Sequence, residues 1–189
     1  MKKNLIKYEE FVKESSDFRV NESDIVNQER LSNKMVEIFN KQIKTELDSS
    51  QMYRAMSCWL NDENWPSGTK LFFKYADEEL THMSKIYEYL FVKNCKAVVP
   101  VCNEHKSDYK DIRDLVEKAL EHEIEITKNW EDISDTARDE KDNTSYEFAQ
   151  WFLTEQISEE EKLRYILEKM DLDMPNYEID KLFDNYEKN

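Results

Sequence analysis

Residues 74–90 read KYADEELTHMSKIYEYL, and this stretch decides the fold class. Its apolar side chains recur every three or four positions, which is the period of one face of an α-helix. Ala76, Met83, Ile86 and Leu90 lie on that face, and Glu79 lies in its middle. Because an ionised carboxylate is costly to bury unless it is paired or bound to a metal, the stretch predicts a core helix that carries a polar site.

The composition of the whole chain also favours helices. The 189 residues include one Gly and three Pro, far fewer turn residues than a β-fold needs, and the length suits one domain. The net charge of -15 argues against a nucleic-acid partner, because phosphate binding depends on clustered Lys and Arg. Three cysteines without a CxxC pair predict free thiols in a reducing compartment. No apolar run approaches the ~20 residues of a membrane span, so we expect no membrane partner and a cytoplasmic protein.

Helical periodicity along the chain predicts four long helices, over residues 31–60, 69–93, 111–139 and 142–170. A turn that includes Pro66 and Gly68 separates the first two, and residues 94–110 are long enough to cross the length of a bundle. We therefore expect an all-α, up-down four-helix bundle with one long crossover and a short C-terminal fifth helix. We predict three parts of the chain: an N-terminal extension over residues 1–30, a four-helix bundle over residues 31–174, and a short helix and tail over residues 175–189. The extension has a possible short helix over residues 5–12.

Each long helix has one polar group in the middle of its core-facing positions: Glu46, Glu79, Glu123 and Gln156. The separations are equal, since 79 − 46 = 33 and 156 − 123 = 33. In an antiparallel hairpin, residues equidistant from the turn lie at the same level, so all four groups are expected to meet. No Lys or Arg occupies the core-facing positions, and His82 follows Glu79 by three residues.

Glu-x-x-His beside carboxylates from the other helices is the ligand set of di-iron bundles. Oxygen-rich ligation with one imidazole suits iron, with manganese possible and zinc a common competitor. We expect Glu46, Glu79 and His82 to hold one Fe(II), Glu79 to bridge, and Glu123 and Gln156 to complete a weaker second position. Open coordination positions would then admit O2 or H2O2.

Four segments of the sequence resemble the helices of the non-haem ferritins of the bacterial type: residues 40–60 (NKQIKTELDSSQMYRAMSCWL), 74–90, 122–133 (HEIEITKNWEDI) and 150–163 (QWFLTEQISEEEKL). The resemblance covers about residues 31–170. It implies a ferritin-like bundle that acts as a ferroxidase with two irons per subunit, lacks haem, and forms a homo-oligomeric shell, of 24 subunits in this family, that stores ferric mineral. By the same resemblance the five predicted ligands take the ferroxidase roles and Tyr53 is a possible electron donor. Glu78, Glu155 and Glu159 match a third iron position, where Ser158 replaces a further carboxylate.

Plainer interpretations stay open beside these. Glu46, Glu79, His82, Glu123 and Gln156 could form a buried polar network without metal, and Tyr53 could be a simple core aromatic. Glu78 and Glu155 could be ordinary solvated charges, and we expect His105 and His122 to be surface or loop residues. Three related functions fit the sequence less well. A bacterioferritin or a di-iron oxygenase would repeat Glu-x-x-His on the fourth helix, where this chain has Gln156-x-x-Glu159, and a DNA-protecting mini-ferritin would have histidines on the first helix, which has none. A helical interaction module without enzymatic activity is the alternative from a different class.

Overall fold

The computed structural model describes residues 30–105 and 107–187, and these form an all-α fold. Four long helices are followed by a short one: α1 (Asn33–Asp62), α2 (Pro66–Val92), α3 (Ile112–Asp139), α4 (Asn143–Met170) and α5 (Asn176–Glu187). The expected four-helix bundle with a fifth C-terminal helix is therefore confirmed. The helix predicted over residues 5–12 lies outside the described residues.

The helices pack as two hairpins. α1 lies along α2 and α3 lies along α4, while α5 packs mainly on α2. Short turns close each hairpin, and residues 93–111 connect the two. Asn64, Asn94 and Lys141 adopt the left-handed conformation just after α1, α2 and α3. Such a residue lets the chain leave a helix while its amide satisfies one of the last carbonyls, so the hairpins turn sharply in a chain that has only one glycine.

The start of α2 differs from the prediction. Pro66 and Gly68 were expected to lie in the turn, but Pro66 is the first residue of α2 and Gly68 lies in its first turn. Proline fits there because the first amide of a helix has no intrahelical acceptor. No side chain caps this helix from its own N-terminal end. Instead, the Asp180 carboxylate of α5 accepts hydrogen bonds from the Ser67 and Gly68 amides, each with an N–O distance of 3.1 Å.

Gly68 has a packing role. A Cβ atom there would lie 3.2 Å from the Phe183 ring and 3.3 Å from the Leu60 side chain. The glycine therefore allows α5 to approach α2 closely enough for the Asp180 cap to form.

The apolar core forms two clusters, one toward each end of the bundle. One includes Leu60, Phe72 and Phe183, and the other includes Trp130 and Phe152. The rings of Trp130 and Phe152 stack with their centroids 3.7 Å apart and their planes 8° apart. Close-packed aromatic side chains of this kind fix the depth and rotation of the helices, so polar groups at intermediate depth are held at defined positions.

Two further expectations concern the cysteines and the membrane. Cys58, Cys95 and Cys102 are free, as the odd number and the absence of a CxxC pair predicted. In the part of the chain that the structure describes, every helix is too short or too polar to cross a membrane.

Candidate metal centre

The four central polar groups come together in the middle of the bundle. Glu46 lies on α1, Glu79 on α2, Glu123 on α3 and Gln156 on α4, and each is at most 7% exposed. His82 is less deeply buried and lies one turn after Glu79 on α2. The polar positions that the sequence placed at one level thus face one another between the two apolar clusters.

Glu46, Glu79 and His82 form the tightest part of this centre. Within residues 30–105 and 107–187 they are the one group of three potential metal ligands whose ligand atoms all lie within 4.8 Å of one another. His82 Nδ1 lies 3.3 Å from Glu79 Oε2 and 4.0 Å from Glu46 Oε2. A cation between these atoms would meet two carboxylates and one imidazole.

The Glu46 carboxylate is positioned through one of its two oxygens. Gln42, four residues earlier on α1 and only 2% exposed, donates from Nε2 to Glu46 Oε1 over 2.9 Å. The other oxygen, Oε2, is buried and accepts no hydrogen bond from the described residues. A buried carboxylate oxygen with no donor is costly, and a metal ion would compensate it.

The second half of the centre is a hydrogen-bonded pair. Gln156 Nε2 donates to Glu123 Oε2 over 2.6 Å, and the Tyr53 hydroxyl donates to Glu123 Oε1. Because the amide nitrogen of Gln156 is turned toward Glu123, its amide oxygen is the atom left to coordinate an ion. Tyr53 itself is 1% exposed, with its ring 5.6 Å from that of Tyr75, centroid to centroid.

Burial governs the electrostatics of the centre. Desolvation raises the pKa of Glu46 well above its usual range, and the nearby Glu79 charge raises it further. Desolvation also raises the pKa values of Glu79 and Glu123. The pKa of Tyr53 is raised well above its ordinary value, first by burial and then by the charge of Glu123. A bound divalent cation would reverse these preferences by favouring the ionised carboxylates, so the arrangement is suited to a cation.

Aromatic rings and one further carboxylate orient His82. The centroid of its ring lies 5.5 Å from that of Phe152 and 6.0 Å from that of Trp151. Its Nε2 lies 3.4 Å from Glu155 Oε2 on α4. A carboxylate beside the second ring nitrogen is the usual device that fixes the tautomer of a metal-binding histidine.

A cleft of about 360 Å³ leads from the centre to the surface. Glu78, Glu155 and Glu159, the residues expected at a third iron position, all line it together with the exposed Ser158. The structure thus brings the three carboxylates to one cleft beside Glu79.

The structure also shows two contacts that sequence reasoning missed. The bond from Gln42 was overlooked, although a polar residue four positions before a buried glutamate on the same helix face is a detectable signal. His122 was expected at the surface or in a loop, but it lies on α3 and is partly buried. Its Nε2 lies 2.7 Å from Ser49 Oγ on α1, and burial lowers the pKa of the imidazole to about 4.

Comparison with known proteins gives a family match over most of the chain. The model of the ferritin-like domain matches residues 36–172. The bacterial non-heme ferritin of Campylobacter jejuni is 30% identical over 142 residues, which cover 75% of this chain and 85% of the relative. The bacterial non-heme ferritin of Escherichia coli O6:H1 is 28% identical over 142 residues, covering 75% and 86%.

A solved structure shows the same fold. The open pore ferritin from the hyperthermophilic archaeon Archaeoglobus fulgidus superposes with a TM-score of 0.79 at 27% identity, covering 82% of this chain and 98% of that one. A matched domain that spans well over half of the chain, and a bundle that superposes along nearly the whole length of a ferritin, lead to one conclusion: this chain belongs to the ferritin-like family.

Proposed function

We propose that this protein stores iron, and that it oxidises Fe(II) at a centre within each subunit before the ferric product is deposited in a multi-subunit shell. The observation that carries the proposal is the convergence of Glu46, Glu79 and His82 ligand atoms within 4.8 Å in a buried position. No lysine or arginine of the described residues forms an ion pair with the buried glutamates there. The relatives are named non-heme ferritins, which supports iron as the substrate.

The centre would hold two Fe(II) ions. Glu46, Glu79 and His82 bind the first, Glu79 bridges, and Glu123 with Gln156 completes the second position. Gln156 is neutral, so the second position has one negative charge fewer than a glutamate would give it and retains its ion less strongly. This difference favours release of the oxidised product over permanent binding.

The electron balance needs both ions. Each Fe(II) gives one electron, so two of them reduce one O2 to H2O2 with the uptake of two protons. With H2O2 as oxidant, the same two electrons and two protons yield two water molecules. By the family resemblance we propose Tyr53, which donates a hydrogen bond to Glu123, as the electron donor when only one of the two ions supplies an electron.

The cleft gives the product a route out of the centre. Glu78, Glu155 and Glu159 line it, and we assign them to a third, transient iron position on the way to the cavity of the shell. By the family resemblance the shell has 24 subunits and lies in the cytoplasm. The centre described here has one histidine and needs no haem.

The test is Fe(II) oxidation by the metal-free assembled protein under air, followed by the ultraviolet absorbance of the ferric product. We expect oxidation much faster than in buffer. The double variant Glu79→Ala/His82→Ala should lose this activity, and Glu88→Ala, which removes an exposed carboxylate from the same helix, should keep it. Oxidation no faster than in buffer, from a particle no larger than the 22.9 kDa chain, would rule out the storage function.

A binding experiment separates this proposal from a helical interaction module. A ligand that binds only the folded state stabilises it by about 2.7 kcal/mol when its concentration is 100 times the Kd. Zn²⁺ should therefore raise the unfolding temperature of the wild type but not that of Glu79→Ala/His82→Ala. An interaction module without a metal site would show no shift in either protein.

A further inference from the structure

A lysine lies inside the cleft that leads from the metal centre to the surface. Lys162 on α4 points its ammonium to Glu159, with Nζ 2.8 Å from Oε1, and its side chain is only 25% exposed. The same ammonium lies 5.8 Å from the centroid of the Tyr75 ring. Lys162, Glu159 and Tyr75 all line the cleft, together with Glu78 and Glu155.

The oxygen-bearing side chains that line the cleft with Lys162 are of the types that bind metals. Glu78, Glu155 and Glu159 contribute three carboxylates. Tyr75 is 5% exposed, and its hydroxyl is buried without a hydrogen-bond partner in the described part of the chain. Carboxylate and phenolic oxygens are hard ligands that suit iron. Burial raises the pKa of Tyr75, and the Glu159 charge raises it further.

We infer that Lys162 is a built-in counter-ion: its ammonium occupies the position beside Glu159 in the cleft where a metal ion would bind, and so prevents iron from being retained there. This inference rests on the proposed function and specifies how its exit route is kept open. A partly exposed lysine–carboxylate pair is weak, so a passing divalent ion can displace the ammonium. The flexible lysine stem then lets the ammonium return when the ion has moved on.

Removing the charge should therefore convert the transit position into a binding site. In Lys162→Gln the Glu159 carboxylate loses the ammonium 2.8 Å from it, while the polarity of the side chain is kept. Glu78 keeps its pair with Lys74, with Nζ 3.8 Å from Oε1, and Glu155 keeps His82 at 3.4 Å. A divalent ion then no longer competes with the Lys162 ammonium for the Glu159 carboxylate. We expect the bound divalent metal to rise from two to three ions per subunit.

The experiment is an anaerobic Co²⁺ titration of the metal-free assembled protein, with anomalous scattering from Co²⁺-soaked crystals to locate the ions. Wild type should bind two ions per subunit and Lys162→Gln three, the third beside Glu159. The matched control is Arg164→Gln, which removes one positive charge from the same helix, where Arg164 pairs with Glu160 at 2.7 Å. That control should bind two ions, and Lys162→Arg, which keeps the charge, should also bind two.

The inference is overturned if Lys162→Gln binds no more Co²⁺ than the wild type, if the wild type already fills the third position, or if Arg164→Gln gains an equal amount. Its failure can be told apart from failure of the proposed function. The first two equivalents must be present in the wild type and absent from Glu79→Ala/His82→Ala. If they are missing from the wild type, the proposed centre itself is refuted.

Discussion

Gln42 offers a sharp test of how the metal centre is built, because it touches a ligand without being one. Its amide donates to Glu46 Oε1 over 2.9 Å, and both side chains are almost completely buried. Replacement by methionine keeps the length and approximate volume of the side chain but removes the donor. Gln42→Met should therefore change the orientation and charge stabilisation of Glu46 more than the packing around it.

The magnitude follows from the type of bond. A hydrogen bond to a charged group contributes about 1.5–3 kcal/mol, and about 1.4 kcal/mol corresponds to a tenfold change in affinity. Loss of the Gln42 donor should weaken metal binding at the first position by roughly 10- to 100-fold, as is usual for residues that orient a ligand. The KM for Fe(II) should rise, while kcat at saturating Fe(II) should change much less, because the ligands themselves are retained.

The assay is anaerobic Co²⁺ binding, combined with steady-state Fe(II) oxidation. Gln150→Met is the matched control, since Gln150 donates to Ser134 Oγ over 2.9 Å away from the centre. We expect the control to bind Co²⁺ like the wild type. If Gln42→Met kept wild-type affinity, or if Gln150→Met lost as much, the reasoning that Gln42 positions Glu46 would be refuted.

Three further outcomes are expected. Asp180→Ala should destabilise the start of α2 by about 1–2 kcal/mol, and Asp180→Asn should destabilise it less. The loss should be seen as faster hydrogen exchange of the Ser67 and Gly68 amides, and unchanged exchange would contradict the cap. The pKa values of the three buried glutamates of the centre lie above their ordinary value of 4.5 in the metal-free folded protein. The folded state therefore binds more protons than the unfolded chain, and the free energy of unfolding should fall as the pH rises from about 5 to about 8. Calorimetry should show this fall in the metal-free protein but not in the presence of Zn²⁺. A free energy of unfolding that rises over the same pH range would be inconsistent with the burial of these groups. Finally, Val99 and Val101 on the crossover are each 84% exposed, so the double replacement by Asp should reduce particle size in native mass measurements without loss of helix content; an intact shell would exclude this surface from assembly.

The fold and the level of the metal centre could be predicted because both depend on local periodicity. The spacing of apolar residues fixes which face of each helix is buried, and equal distances from two turns place polar groups side by side. Glu46 and Glu123 were found in this way, although their helices are far apart in the sequence. Helix boundaries were less accurate at Pro66 and Gly68, because a proline and a glycine also fit the first turn of a helix that is capped from elsewhere.

Contacts between helices could not be predicted from these patterns. Asp180 caps α2 although it lies 112 residues after Gly68 in the sequence, and no sequence pattern indicates that α5 packs beside the start of α2. His122 looked like a surface residue because it lies off the core-facing positions, yet α1 passes close enough for Ser49 to bond to it. The position of Lys162 beside Tyr75 likewise depends on how α4 lies against α2.

The sequence by itself thus determined the helical bundle, the depth of its polar residues and the chemical type of the ligands, because a helix repeats with a fixed period whatever surrounds it. Only the tertiary structure decided which oxygen of Glu46 accepts the hydrogen bond from Gln42 and which is left for a metal. It also decided that the Lys162 ammonium lies beside Glu159 in the cleft. Those outcomes depend on distances of a few ångströms between separate helices, which are set by the packing of Trp130, Phe152 and the rest of the core and not by any local pattern of residues.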